Sequence, residues 1–86
     1  MKTVFKPSHV WQGGSPVHFA TQPGDGRTLG CLFKESGLWH ADCYLTNVRI
    51  PMEERCQGSF VKAKSYLIRK INEGKADGRP TFESYV

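Results

Sequence analysis

Apolar residues recur at helical spacing in one stretch of the chain, residues 59–74. The members of this stripe stand three and four positions apart: Phe60, Ala63, Leu67 and Ile71. Because that spacing brings side chains onto one face of a helix, the pattern predicts an amphipathic helix. Val61 and Ile68 widen the apolar face, as in a helix that lies on a sheet. Ser59 is suited to the N-cap position, and Gly74 to the residue that ends the helix.

Ahead of this helix, apolar and polar residues alternate in three segments, as expected of β-strands. The segments are residues 17–21, 28–35 and 38–46. In the second segment, Leu29, Cys31 and Phe33 share one face. In the third, the inward set is Trp39, Ala41, Cys43 and Leu45, and the outward set is His40, Asp42, Tyr44 and Thr46. Turn-forming residues separate the segments at 22–27 and 35–37, which predicts an antiparallel meander.

The segments on either side of this meander predict shorter elements. Val4 and Phe5 precede Pro7, which lacks a backbone donor and therefore indicates an edge strand. We expect residues 48–50 to continue the sheet as a short strand. A single helical turn is expected after Pro51, since proline suits the first position of a helix.

Together these elements predict one α+β domain over residues 1–86. Its antiparallel sheet has three or four strands and packs as a meander against one C-terminal α-helix. The predicted centre of the core is formed by Trp39, Phe33, Leu45, Leu67 and Ile71. Residues 75–86 are expected to form a tail that can be mobile, with Phe82 and Tyr85 as the side chains that pin it to the domain.

The composition is that of a folded domain rather than of a disordered or membrane-spanning chain. Hydrophobic residues make up 38% of the 86 residues and aromatic residues 12%, which is sufficient for a single core. No apolar run approaches the roughly 20 residues that a transmembrane helix needs. The N-terminus also lacks the apolar core of a signal peptide. We therefore expect a cytoplasmic protein that has no membrane partner.

The cysteines predict neither a disulfide framework nor a metal site. Cys31, Cys43 and Cys56 are odd in number, which favours reduced thiols. Cys31 and Cys43 are nevertheless expected to be neighbours across a hairpin, where oxidation could join them. His40 and the cysteines are the residue types of a zinc site, but strand alternation puts His40 and Cys43 on opposite faces. Since no Cys-x-x-Cys motif is present either, we expect no metal and no cofactor, and a zinc-stabilised domain is the weaker alternative.

No arrangement typical of an enzyme is visible in the sequence. There is no nucleophile elbow and no pair of carboxylates at catalytic spacing. A domain of this size also has little room for a deep pocket. We therefore expect a protein that is not an enzyme.

Positive charge is concentrated on the predicted helix. The helix carries Lys62, Lys64, Arg69 and Lys70, and Glu73 is the one acid within residues 59–74. Lys62 and Lys64 fall in the first turns, where the helix dipole disfavours cations and where free backbone N–H groups suit a phosphate. The alternative interpretation is a solvated basic face, because Lys and Arg are good helix formers. The net charge of +4 and the pI near 9.2 favour an acidic or polyanionic partner.

A second candidate surface is the sheet face that the alternation predicts to be exposed. The side chains expected there are His40, Asp42 and Tyr44, with His18, Leu32 and Lys34 as neighbours. Tyr44 and Lys34 could contact a nucleic-acid backbone or stack on a base, whereas Asp42 would repel phosphate. The alternative interpretation is an ordinary polar sheet face.

Residues 37–66 resemble a known DNA-binding pattern. The matching residues are Gly37-Leu38-Trp39-His40-Ala41, Gly58-Ser59-Phe60, Ala63 and Tyr66. They form a Trp-x-Ala strand and a Gly-x-Phe entry into an alanine-containing helix, which is similar to the small DNA-binding domains of the ethylene-response-factor and phage-integrase arm-binding type. The resemblance implies a three-stranded sheet that packs on a C-terminal helix and enters the DNA major groove. If DNA is bound, we expect Arg27, Lys34 and Arg49 beside the sheet to contact it, or else the helix cations.

Two functions agree with these observations. The first hypothesis is a non-enzymatic nucleic-acid-binding module, with DNA as the expected nucleic acid. Its predicted contacts are Lys62, Lys64, Arg69 and Lys70 on the helix, with Lys34, Tyr44, Arg27 and Arg49 in addition. The second is a small protein-binding module, of the kind that phages and mobile elements use to inhibit or redirect a host protein. It would act through an exposed sheet edge or an aromatic patch near Trp11 and Phe5. Either module would be a monomer or a homodimer.

Overall fold

The computed structural model describes residues 3–22, 24 and 26–76. Within these residues, five strands form one antiparallel sheet in which neighbours along the chain are also neighbours in space. The strands are β1 (Val4–Gln12), β2 (Ser15–Thr21), β3 (Thr28–Glu35), β4 (Leu38–Cys43) and β5 (Cys56–Gly58), and the helices are α1 (Met52–Arg55) and α2 (Phe60–Ala76). The predicted α+β fold is confirmed, with one strand more than expected. The contacts expected of Phe82 and Tyr85 lie outside the described residues.

β1 is the edge strand that Pro7 indicates. It stands at one end of the strand order, where a residue without a backbone N–H is tolerated. The pairing register with β2 shifts between Pro7 and Trp11. Inside this irregular stretch the Ser8 hydroxyl accepts a hydrogen bond from the Val10 N–H at 3.1 Å. β1 continues past this irregularity to Gln12, further along the chain than its apolar residues alone indicate.

The fifth strand lies where the sequence predicts a connection. Residues 48–50 form no strand. Instead the chain turns at Val48, whose N–H donates to the Leu45 carbonyl at 3.3 Å, and then passes through α1, the helical turn that was expected. β5 follows and pairs with β4. The prediction of a strand at 48–50 is wrong because Val48 and Ile50 pack against the core from a loop.

α2 begins where the sequence predicts and ends later. The Ser59 hydroxyl accepts a hydrogen bond from the Lys62 N–H at 3.2 Å, which is the expected N-cap geometry. The helix continues to Ala76, so the predicted end at Gly74 is wrong and the first two residues of the expected tail are helical. Among the described residues, no helix combines the length and the apolar content needed to cross a membrane.

Gly74 is a close-packing position rather than a helix terminator. A Cβ atom at this residue would lie 2.9 Å from Leu45 Cδ1 and 2.5 Å from Val48 Cγ2. Its carbonyl accepts a hydrogen bond from Asn47 Nδ2 at 2.7 Å. The glycine therefore allows the last turns of α2 to lie directly on the loop that follows β4.

The core lies between α2 and the sheet. Its buried members are Ala20, Leu29, Leu32, Ala41, Cys43, Leu45, Ala63, Tyr66, Leu67 and Ile71. Three of the residues expected at its centre, Leu45, Leu67 and Ile71, are at most 1% exposed, which confirms that part of the prediction. Trp39 is half-buried and packs against the core from its edge. Phe33, the fifth expected member, does not belong to it.

Phe33 faces away from the core because the side chains of β3 that point toward the helix are not the ones predicted. In the β3–β4 ladder, Leu32 lies opposite Ala41, and Phe33 lies opposite His40. Residues paired in this way share a face of the sheet. Leu32 therefore joins Ala41 under the helix, and Phe33 joins His40 on the other side.

The three neighbours that were expected beside His40 on an exposed face also lie on the helix side. They are His18, Leu32 and Lys34. His18 pairs with Leu32, and Lys34 pairs with Trp39. Both pairs share the face that α2 covers, so this part of the prediction is wrong.

The side of the sheet away from α2 is here called the outer face. It carries Val17, Phe19, Cys31, Phe33, His40 and Asp42. The rings of Phe33 and His40 stack with their centroids 5.2 Å apart, and Val17 and Cys31 are only 5% and 7% exposed. The outer face is therefore not the open polar surface that the alternation predicts.

Candidate nucleic-acid interface

Polar and charged side chains line a groove between β5 and α2, here called the α2 groove. Its volume is about 260 Å³, and its lining residues are Gln57, Val61, Lys62, Ser65, Tyr66 and Arg69. Gln57 comes from β5. The others come from successive turns of α2, where intervals of three and four positions bring side chains to one face. Ammonium, guanidinium, hydroxyl and amide donors therefore converge on one concave surface.

Tyr66 forms the floor of the α2 groove. The residue is 5% exposed, and its hydroxyl donates a hydrogen bond to Glu54 Oε2 at 3.5 Å. Burial raises the pKa of Tyr66 above its ordinary value. The hydroxyl therefore stays protonated at neutral pH and ties α2 to α1.

Two cations lie against the ring of Tyr66. The guanidinium carbon of Arg69 is 5.3 Å from the ring centroid and Nζ of Lys70 is 5.6 Å from it, both within the range of cation–π attraction. Nζ of Lys70 is also 3.4 Å from Glu73 Oε2, which partly neutralises its charge. The exposed residues Lys62 and Arg69 are therefore the cations best placed for an anionic ligand.

Lys64 lies on the other flank of α2. Its Nζ is 5.5 Å from the centroid of the Phe5 ring, on the side of the helix that faces β1. The four helix cations that the sequence groups together are thus divided in space. Three lie around Tyr66, and Lys64 stands apart from them.

The candidate contacts on the sheet do not form one surface. Lys34 lies opposite Trp39 on the face that α2 covers. Tyr44 hydrogen-bonds the side chain of Cys31, which belongs to the outer face. Because the two side chains point to opposite sides of the sheet, Lys34 and Tyr44 do not share a binding surface.

The two arginines expected beside the sheet lie apart from each other and from the α2 groove. Arg49 lines a second groove, of about 320 Å³, together with Asp42 and Arg55. Arg27 is exposed in the connection between β2 and β3. Neither arginine lines the α2 groove, so the structure does not join them to the helix cations.

Gln57 and Ser65 line the α2 groove but were not among the predicted contacts. Ser65 lies three positions after Lys62 and four before Arg69, so helical spacing could have found it. No sequence pattern indicated Gln57, because a strand of three residues is too short to show alternation of apolar and polar positions.

The side chains of Cys31 and Cys43 do not meet across the β3–β4 hairpin. Cys31 lies opposite Asp42, and Cys43 lies opposite Gly30, so the two side chains point to opposite faces and the expected cross-hairpin pair, which oxidation could have joined, is wrong. All three cysteines are free thiols, and burial raises the pKa of Cys31. His40 points away from Cys43, as the alternation predicts. In the described part of the chain, no three side chains of the metal-binding types gather at one point.

The surface expected for a protein partner differs from the prediction. Val10 and Trp11 are 57% and 66% exposed, so an apolar patch exists at the end of β1. Phe5 was expected in this patch but packs against the core instead. Pro7 and the shifted register of β1 interrupt the backbone groups with which a partner strand would pair.

Comparison of the chain with protein-family models, with curated proteins and with solved structures finds no match. Its function is therefore inferred from the geometry and charge of its own residues.

Proposed function

We propose that this protein is a non-enzymatic nucleic-acid-binding module that contacts backbone phosphates through the α2 groove. The observation that supports the proposal most directly is the convergence of Lys62, Ser65 and Arg69 on one concave surface. Phosphate oxygens accept hydrogen bonds, and the groups at the ends of these side chains donate them, the charged ones most strongly. DNA is the nucleic acid that we expect.

Two acidic residues close to the α2 groove have partners of their own. Glu54 accepts the hydrogen bond from the Tyr66 hydroxyl, and Glu73 lies 3.4 Å from Lys70. Their negative charge is therefore held against neighbouring groups. Since the chain carries a net charge of +4, it attracts a polyanion at long range, and the α2 groove is where we expect the contact.

Contacts in the α2 groove would carry little sequence information. Phosphate contacts position a protein on DNA, whereas sequence is read at the base edges. The DNA-binding domains that residues 37–66 resemble use the sheet for that purpose, but the outer face of this sheet presents Asp42, which would repel phosphate. We therefore expect binding that depends weakly on sequence and steeply on salt.

A protein-binding module is the second proposal, and one observation favours it. Val10 and Trp11 are exposed at the end of β1, and adjacent exposed apolar residues are typical of interaction surfaces. A partner bound there would not use the α2 groove. Substitutions in the groove would leave such a complex intact, which separates the two proposals.

Fluorescence anisotropy of a labelled DNA duplex tests the nucleic-acid proposal. The duplex is titrated with the protein at a series of salt concentrations. We expect dissociation constants in the micromolar range at low salt and a log–log salt slope of about −2 to −3, because two or three neutralised phosphates contribute about −0.9 each. Absence of binding at the lowest salt would exclude the proposal. A slope near zero would show that binding does not depend on phosphate contacts.

A further inference from the structure

Four side chains form a cross-strand row at the end of the sheet where α2 begins. They are Trp11, Pro16, Lys34 and Trp39, and we call them the tryptophan row. Trp11 pairs with Pro16, and Lys34 pairs with Trp39. Pro16 lies two positions before His18 on β2, so strand alternation puts it on the same face as His18 and its partner Leu32. Because paired residues share a face, the row lies on the same side of the sheet as α2.

α2 covers only one end of the tryptophan row. The ring of Phe60, the first residue of the helix, is 4.9 Å from the ring of Trp39, which is half-buried. At the other end, Trp11 is 66% exposed and follows the exposed Val10. A large indole that remains open on a folded domain is typical of a binding surface.

The end of β1 that carries Trp11 lies against β3. The turn that follows β1 packs against the main chain of β3, because a Cβ atom at Gly13 would collide with the carbonyl oxygen of Lys34. Gly13 also has a φ of 63°, in the left-handed region that favours glycine. The turn therefore closes onto β3 and brings the end of β1 close to Lys34.

The chemistry of the tryptophan row favours a ligand that has both flat aromatic faces and negative charge. The row contains one cation, Lys34, and no acid. An unpaired nucleotide has a base with an open π-face and a phosphate beside it, and single-strand-binding proteins combine aromatic platforms with cations along the backbone. The bases inside a duplex are stacked on each other and offer no open π-face. A neutral apolar peptide has no negative charge that would pair with the lysine.

We infer that Trp11 is a stacking platform for an unpaired base of a single-stranded nucleic acid, with Lys34 at the phosphate of the adjoining nucleotide. This inference rests on the proposed function and adds a distinction between nucleic-acid forms. The α2 groove contacts phosphates of a duplex or a single strand, whereas the tryptophan row contacts single strands alone.

Substitutions of Trp11 test this inference in titrations with labelled oligothymidine and with a duplex of the same length. Trp11→Ala is expected to weaken oligothymidine binding about tenfold, the lower part of the range for one stacked base, and to leave duplex affinity unchanged. Trp11→Phe keeps a π-face and should keep most of the affinity. Trp11→Leu keeps apolar area without a π-face and should bind as weakly as Trp11→Ala. Leu38→Ala, at another exposed apolar residue, is the matched control and should change neither affinity.

The outcomes separate this inference from the proposed function. Unchanged oligothymidine affinity in Trp11→Ala, or an equal loss for oligothymidine and duplex, would overturn the inference while salt-dependent duplex binding still supports the α2 groove. Oligothymidine binding by Trp11→Leu at the unsubstituted level would also overturn it, because a merely apolar contact, such as one with a protein partner, needs no ring. Failure of the unsubstituted protein to bind either DNA would overturn the proposed function itself.

Discussion

Reversing the charges of Lys62 and Arg69 together is expected to weaken duplex DNA binding by about 100-fold at low salt. Both side chains line the α2 groove. A charge in contact with a phosphate gains about 1 kcal/mol in a water-like dielectric, and reversal replaces that attraction by repulsion. After screening, the two reversals cost about 2.7 kcal/mol, which corresponds to the 100-fold loss. Anisotropy titration of the double variant Lys62→Glu/Arg69→Glu measures it.

A second double variant controls for net charge. Lys6→Glu/Lys64→Glu changes the net charge by the same amount, but Lys64 lies over Phe5 on the other flank of α2 and Lys6 is exposed on β1. We expect this variant to lose affinity several-fold at most, through the weaker long-range field. Equal losses in the two variants would show that binding follows total charge and that the α2 groove has no special role.

Replacing Leu67 by alanine is expected to lower the free energy of unfolding by about 2–5 kcal/mol. Leu67 is 0% exposed and packs closely on β3, since a Cβ atom at Gly30 would lie 3.1 Å from Leu67 Cδ1. Truncation removes buried methyl groups and leaves a cavity that the neighbouring backbone cannot fill. For a domain of this size, the loss is a large part of the total stability.

Urea denaturation followed by circular dichroism measures the loss for Leu67→Ala. Val61→Ala is the matched control on the same helix, because Val61 is 72% exposed. Its stability should stay within about 0.5 kcal/mol of the unsubstituted protein. A loss below about 1 kcal/mol for Leu67→Ala would contradict the packing of α2 on the sheet described above.

The helix and the meander could be predicted because their patterns are long and strongly periodic. The stripe through Ala63, Leu67 and Ile71 repeats over three turns, and all three residues are buried as expected. β4 alternates over its whole length, and its inward residues Ala41 and Cys43 are in the core. Where one face of an element is apolar and the other is polar, the sequence determines which side is buried.

β3 and β5 show where such patterns stop being informative. β3 is central in the sheet and buried residues run along both of its faces, so its apolar residues carry no preference for one face and the choice of Phe33 over Leu32 was wrong. β5 has three residues, too few for any period. Its place in the sheet depends on tertiary pairing with β4.

The α2 groove could be predicted in part for the same reasons. Charge on a helix is visible in the sequence, so Lys62 and Arg69 were found. The separation of Lys64 from them depends on which flank of α2 faces Phe5 of β1, and the contribution of Gln57 depends on β5. Both features depend on tertiary contacts, which a local sequence pattern does not predict.

The most direct test of the phosphate-binding α2 groove is a nuclear magnetic resonance titration of the ¹⁵N-labelled protein with an unlabelled DNA duplex at low salt. We expect the largest amide shift changes at Gln57 and at Lys62, Ser65 and Arg69 within residues 62–69, because these four residues line the groove. Amides of the outer face, such as those of Phe33 and His40, should change little. Large changes on the outer face with residues 62–69 unaffected would contradict the proposal and would place DNA on the sheet instead.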